Sequence, residues 1–169
     1  MVRYKIDSAQ SELSAEARSN IHPIHARTSQ VTGWVEAVVV DGAVDTTQPA
    51  SARIEVSTDS LSADNALVGR EIKKRLDARR YPTVVAEISK VAGPTGGKYE
   101  VNGELSLRQA TQPITGRAEL VAGTDSTLEI TGELTIDVRD FQLDPPKMLG
   151  LKVYPEVAVT VRLVATIDK

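Results

Sequence analysis

The chain has 169 residues, 41% hydrophobic and 25% charged, enough to bury one sizeable core and expected to form a single domain over residues 1–169. A net charge of −3 gives no electrostatic basis for nucleic-acid binding, and the absence of cysteine excludes disulfides, thiolate metal sites and a cysteine nucleophile. With one Phe, one Trp and an aromatic content of 4%, the core must be built from Val, Ile, Leu and Ala. No run approaches the ~20 apolar residues of a membrane span, so a transmembrane chain is not expected. The opening residues MVRYKIDSAQSEL contain no apolar signal-peptide core, and as written the chain is expected in the cytoplasm.

Leu13, Ala15 and Ala17 alternate with Ser14, Glu16 and Arg18, the period-two pattern of a strand with one buried face. The segment Val31–Val40 is strand-like and carries Gly33, a residue that marks a bulge or a close backbone approach. Asp41-Gly42 is a turn signal, and Ala52, Ile54 and Val56 then alternate again. One helix is predicted over about 64–80. Asp64 or Asn65 caps it, Val68, Ile72 and Leu76 form its apolar stripe, and Tyr81-Pro82 ends it. Between Arg70 and Arg80 six cations stand against Glu71 and Asp77, either a solvated face or a contact for an anionic head group, a membrane surface or an acidic partner.

Val84, Ala86 and Ile88 make the next strand, and Gly93–Gly97 is a turn cluster. Residues 101–120 read as a β-hairpin. Val101, Gly103, Leu105 and Leu107 share a face in its first half, Ile114, Gly116, Ala118 and Leu120 in its second, and Pro113 fits the first position of the second strand. Leu128 to Val138 alternates strictly, placing Glu129, Glu133 and Asp137 on the polar face. After the apolar loop residues Met148, Leu149 and Leu151, the run Val157 to Ile167 closes the chain. Together these segments predict an antiparallel sheet closing around one apolar surface.

Chemistry is sparse. No G-x-S-x-G elbow, P-loop or H-E-x-x-H helix occurs, so an enzyme is not expected. His22 and His25 are three apart and face opposite sides of a strand, with no third ligand nearby; no metal site is expected. Trp34 is either a packing residue or a ligand contact.

Several segments share a pattern. Tyr4-Lys5-Ile6-Asp7 with Ser11 fits Y-x-I-D-x-x-x-S, and Gly103, Leu105, Ser106, Leu107, Thr111, Pro113 and Ile114 follow G-x-L-T-L-x-G-V-T-x-P-V. Tyr81-Pro82-Thr83 and Arg139, Asp140 and Phe141 of I-x-R-x-D-F continue it in the right order. The chain thereby resembles the YceI family. It departs from that pattern at Gln109 and Ala110, which replace a Gly and a Val, and in lacking a paired Phe after the helix.

The resemblance implies a mainly β fold, a lipocalin-like antiparallel eight-stranded β-barrel with one helix, enclosing an elongated apolar cavity. It implies a non-enzymatic carrier of a polyisoprenoid, isoprenoid quinone or fatty-acyl lipid, with no cofactor beyond that bound molecule. The expected cavity wall is Ala15, Ala17, Ile54, Val56, Val84, Ala86, Ile88, Leu105, Ile136, Val161 and Leu163. The expected mouth or lid is His22, Trp34, Ile72, Leu76, Phe141, Met148 and Leu149. The rival expectation is a filled barrel acting as a protein-interaction or homodimer module, and the Arg70–Arg80 helix is a candidate peripheral membrane contact. Many members of that family are exported, so a trimmed chain would be periplasmic or secreted.

Overall fold

In the computed structural model, which describes residues 2–123, 126–145, 147–148 and 150–168, the alternating segments pair with their sequence neighbours until the sheet closes on itself. Strands β1 (Val2–Ile6) and β2 (Glu12–Ser19) are two halves of one stave, separated by a 3-10 turn at Ser8–Gln10. β3 (Ile24–Thr28) and β4 (Val31–Ala37) make the second stave. A small hairpin of β5 (Val39–Val40) and β6 (Ala43–Val44) leaves the wall, with Asp41 and Gly42 at its tip in left-handed conformations. The third stave is β7 (Ser51–Ser57) continued by β8 (Ser62–Ala63).

After helix α1 (Ala66–Arg75) come β9 (Thr83–Thr95), β10 (Lys98–Leu107), β11 (Ala110–Ala122) and β12 (Thr127–Asp137). The short β13 (Lys147–Met148) folds onto β14 (Leu151–Ile167), which returns to pair with both β1 and β2. Every neighbouring pair is antiparallel, so the eight staves form a closed up-and-down barrel. α1 is the one α-helix among the described residues.

The helix starts as its sequence demands. The Asn65 side chain accepts from the amides of Leu67 and Val68, and Val68 is buried with Ile72 packed beside it. It stops short of the expected residue 80. Asp77 takes a left-handed conformation (φ 51°), the Ala78 amide donates to the Lys73 carbonyl, and the Asp77 amide donates to that of Lys74. That is a Schellman ending, and it halts the helix before Tyr81-Pro82 is reached.

Three adjacent staves break at one level, and three buried hydroxyls patch the break. Ser11 Oγ accepts from the Val164 amide at 3.0 Å and donates to the Asp7 carbonyl at 2.7 Å. Thr28 Oγ1 lies 2.5 Å from Ser60 Oγ and accepts from the Gln30 amide at 3.0 Å. Thr58 Oγ1 donates to the Tyr81 carbonyl at 3.0 Å. Buried polar groups require such partners, and here they stand in for ladder bonds lost at the crease. Val31 and Leu163, also fully buried, belong to the core cluster around it.

Two glycines set how closely staves approach. A Cβ on Gly33 (φ 131°) would lie 1.8 Å from the Arg53 carbonyl oxygen, and one on Gly103 would lie 1.9 Å from that of Glu87. Gly103 sits at a register shift between β9 and β10, and Gly33 meets the close approach expected of it. Pro113 differs from expectation, since β11 begins at Ala110 and the proline is its fourth residue. Its missing N–H is tolerated because β11 meets β12 only from Arg117 onward, leaving the edge beside Pro113 without a ladder.

Two substitutions test these constraints. Gly103→Ala should lower stability by about 2–3 kcal/mol through backbone displacement. Ser11→Ala should cost about 1–3 kcal/mol by stranding the Val164 amide. Urea unfolding midpoints of both variants against wild type are the measurement.

Candidate ligand-binding cavity

Ring closure and alternation aim one face of every stave inward, and the inward residues do not meet across the barrel. They enclose a cavity of about 360 Å³. All of the expected wall residues line it: Ala15, Ala17, Ile54, Val56, Val84, Ala86, Ile88, Leu105, Ile136, Val161 and Leu163. Several of them, Ile54, Ala86, Leu105 and Val161 among them, point inward yet are only half-buried, because they face empty space. The barrel is hollow. Its lining also includes Leu13, Val35, Ala52, Leu134, Val157 and Val159, which have the same inward parity and were legible from alternation. Tyr99, Val44, Leu61 and Leu143 also reach the cavity, and no periodic signal marks the last three.

The expected mouth residues divide. Ile72 and Leu76 line the cavity from α1 and the turn after it, with buried Val68 alongside. Phe141 is 3% exposed but packs beside the cavity, with Leu107 and Leu143. His22 is not among the residues that line the cavity. It lies in the exposed turn after β2, its amide held by Ser19 Oγ at 2.9 Å and its Nδ1 2.9 Å from the Pro23 carbonyl. His25 stands on the outer face of β3, opposite Glu16. Trp34 also faces outward, because it shares parity with Thr32 and Glu36 while Val35 points in. The Arg3 guanidinium covers its ring at 4.4 Å. The Met148 side chain and Leu149 lie outside the described residues.

The two ends are closed differently. Opposite the helix, Tyr99 is buried and its hydroxyl accepts from the Val44 amide at 2.9 Å, tying the β5–β6 hairpin over the barrel while Val39 packs into the core. The outer wall is laced with exposed ion pairs, including Arg162 with Glu129 at 2.9 Å and Lys98 with Glu133 at 3.3 Å. Those carboxylates alternate with the inward Leu128, Ile130 and Leu134 and form their ion pairs on the exposed outer face.

A YceI-like domain model matches residues 4–165, nearly the whole chain. The protein belongs to the YceI-like family. A UPF0312 protein of Vibrio parahaemolyticus is 28% identical over 138 residues, covering 76% of this chain and 73% of that one. Among solved structures, BcnA of Burkholderia cenocepacia superimposes with a TM-score of 0.80 at 22% identity, over 95% of this chain and 99% of that one. A polyisoprenoid binding domain from Saccharophagus degradans gives 0.73 at 14% identity, over 99% and 100%. At these identities the structural likeness establishes the fold.

Within this YceI-like barrel the wall has a seam between β11 and β12. The β11–β12 ladder runs only from Arg117 opposite Glu133 to Ala122 opposite Leu128, and beyond it the two strands part. The 3-10 turn Val138–Phe141 fills the gap, with Gln112 Nε2 donating to the Asp140 carbonyl at 3.1 Å and Phe141 buried beneath. Asp137 holds that turn. Its carboxylate accepts from the Arg139 amide at 2.9 Å and from Arg139 Nη2 at 2.7 Å. The Arg139 side chain first, and then its amide, hold the Asp137 carboxyl below the usual carboxylate range.

Because the folded-state pKa is depressed, Asp137 stabilises the fold above its unfolded-state pKa and loses that contribution as pH falls through the folded value. Asp137→Asn should therefore be less stable than wild type near neutral pH. The gap should shrink progressively below about pH 4, read from urea unfolding across a pH series.

Proposed function

We propose that the protein binds a long apolar molecule, a polyisoprenoid, isoprenoid quinone or fatty-acyl lipid, inside the barrel and carries it without chemical change. The observation that bears this reading is the lumen itself: aliphatic side chains aimed inward and half-uncovered around about 360 Å³. Such a surface gains ~0.8 kcal/mol for each methylene it takes from water, with no directional partner required. The volume lies within the ~300–1,000 Å³ of ordinary ligand sites. A solved domain of this fold, from S. degradans, is described as polyisoprenoid binding, which favours an isoprenoid among the three. The filled-barrel reading would need a packed lumen, and this one is open.

The test is native mass spectrometry of freshly purified protein followed by organic extraction. A bound species releasing an isoprenoid or acyl compound is expected. A ligand-free mass with no uptake of added polyprenyl compounds would overturn the carrier reading. A phenyl ring placed in the lumen provides the matching variant. Ala86→Phe, between Ile54 and Leu105 on the wall, should cut uptake about tenfold or more while the melting temperature stays within about 5 °C of wild type. Isothermal titration and thermal melts measure the two effects.

A further inference from the structure

Helix α1 is seated on the barrel by one face. Val68 is buried with Ala17, Ile24 and Val153, Ile72 packs against the same cluster, and Gly69 is buried beside Ala63. Helical geometry then turns Leu67, Arg70, Lys73 and Lys74, spaced three and four apart, to the other side. Leu67 is 48% exposed there. The turn between β2 and β3 adds Ile21 at the same end, 64% exposed and just beyond Ala17 and Ile24, the paired residues that pack with Val68.

The charge on this face is unmatched. Residues 70–80 hold six of the chain's 20 Lys and Arg but only two of its 23 Asp and Glu. The segment therefore carries four net positive charges in a chain of net charge −3, whose other residues carry −7. Its two acids are already engaged, Glu71 with Arg75 at 2.9 Å and Asp77 with Arg80 at 3.6 Å, and nearby Asp64 faces Arg27 at 3.6 Å. Arg70, Lys73, Lys74 and the exposed Arg79 make no ion pair among the described residues, whereas Arg3, Arg53, Lys98 and Arg162 on the barrel wall are each paired. Like charges three and four apart on a helix repel, so the fold gains nothing from this arrangement.

We propose that this face docks the protein on an anionic lipid bilayer, with Arg70, Lys73, Lys74 and Arg79 at the lipid phosphates and Leu67 and Ile21 entering the interface. Charge complementarity selects the occupant. Four unmatched cations on an otherwise acidic protein are drawn to a negative plane, while the rest of the molecule is turned away from it. Exposed aliphatic side chains beside such cations suit a bilayer interface, where apolar area and charge contribute together, whereas an acidic polypeptide would match the charge alone. The docking stands on this surface and not on what fills the lumen. Combined with the carrier reading, it sets against the bilayer the end of the barrel that Ile72 and Leu76 line.

The test is co-sedimentation of the full chain with vesicles of phosphatidylcholine alone and of phosphatidylcholine with about 30% phosphatidylglycerol. Binding to the anionic vesicles only is expected, and it should weaken about tenfold or more between about 20 and about 500 mM salt as the screening length falls. The variant Arg70→Gln, Lys73→Gln, Lys74→Gln, Arg79→Gln keeps good helix formers, and it should lose about tenfold or more of that binding with an unchanged far-UV circular dichroism spectrum. Ile21→Ser with Leu67→Ser should weaken binding about threefold or more while leaving its salt dependence in place. No preference for anionic vesicles would overturn the proposal and leave the carrier reading standing, as would a preference that the quadruple variant retains. Undiminished binding by the Ile21, Leu67 variant would overturn seating in the bilayer interface. Binding to soluble polyglutamate as tightly as to vesicles would overturn the bilayer in favour of an acidic polypeptide.

Discussion

Everything in this barrel depends on β14 serving two edges at once. From Thr166 to Glu156 it pairs with β12, and on its other edge it pairs with β1 through Ala165–Ile167 and with β2 through Val153–Arg162. A strand bound on both sides cannot slip by one residue without turning its whole apolar set outward. The closing register therefore fixes Val157, Val159, Val161 and Leu163 inward, and through the ladders it fixes the parity of their neighbours round the ring. The apolar lumen follows from ring closure and alternation together.

Closure alone would permit a packed interior, so the hollowness needs its own cause. Side-chain size supplies it. Ala15, Ala26, Ala52, Ala86 and Ala118 line the cavity, and they are too short to meet across it. Beside the crease, Val31 and Leu163 are fully buried in one core cluster, so the filled part of the interior lies there. Hydroxyls rather than larger apolar groups hold that crease, so the sheet bends there without bringing bulk into the lumen. An apolar void forfeits the dispersion contacts its lining would otherwise make, and an apolar occupant restores them.

Period-two alternation carried most of this to the surface of the sequence. It marked the staves, and the short aliphatic residues on its inner face were the cavity wall. Trp34 shows the cost of reading residue type ahead of parity. An aromatic invites a ligand-contact role, yet Val31 and Val35 on the same strand already assign Trp34 to the outside, where Arg3 stacks on it. The helix boundary was lost for another reason. Proline at 82 is a visible stop, whereas the left-handed turn at Asp77 is chosen by backbone hydrogen bonding that no residue type announces.

The same ring is not equally secure around its circumference. Most of the wall is backbone ladder, but between Ala110–Gly116 and Leu134–Asp137 it is held by side chains: Asp137 on Arg139, Gln112 on Asp140 and the buried ring of Phe141. Opening a ladder strands donors and acceptors along both strands, whereas lifting this turn exposes one apolar cluster and a few exposed polar contacts. Leu143, which follows the turn, lines the apolar tube. The β11–β12 ladder therefore ends where this turn sits, and its hydrogen bonds need not break for the turn to lift.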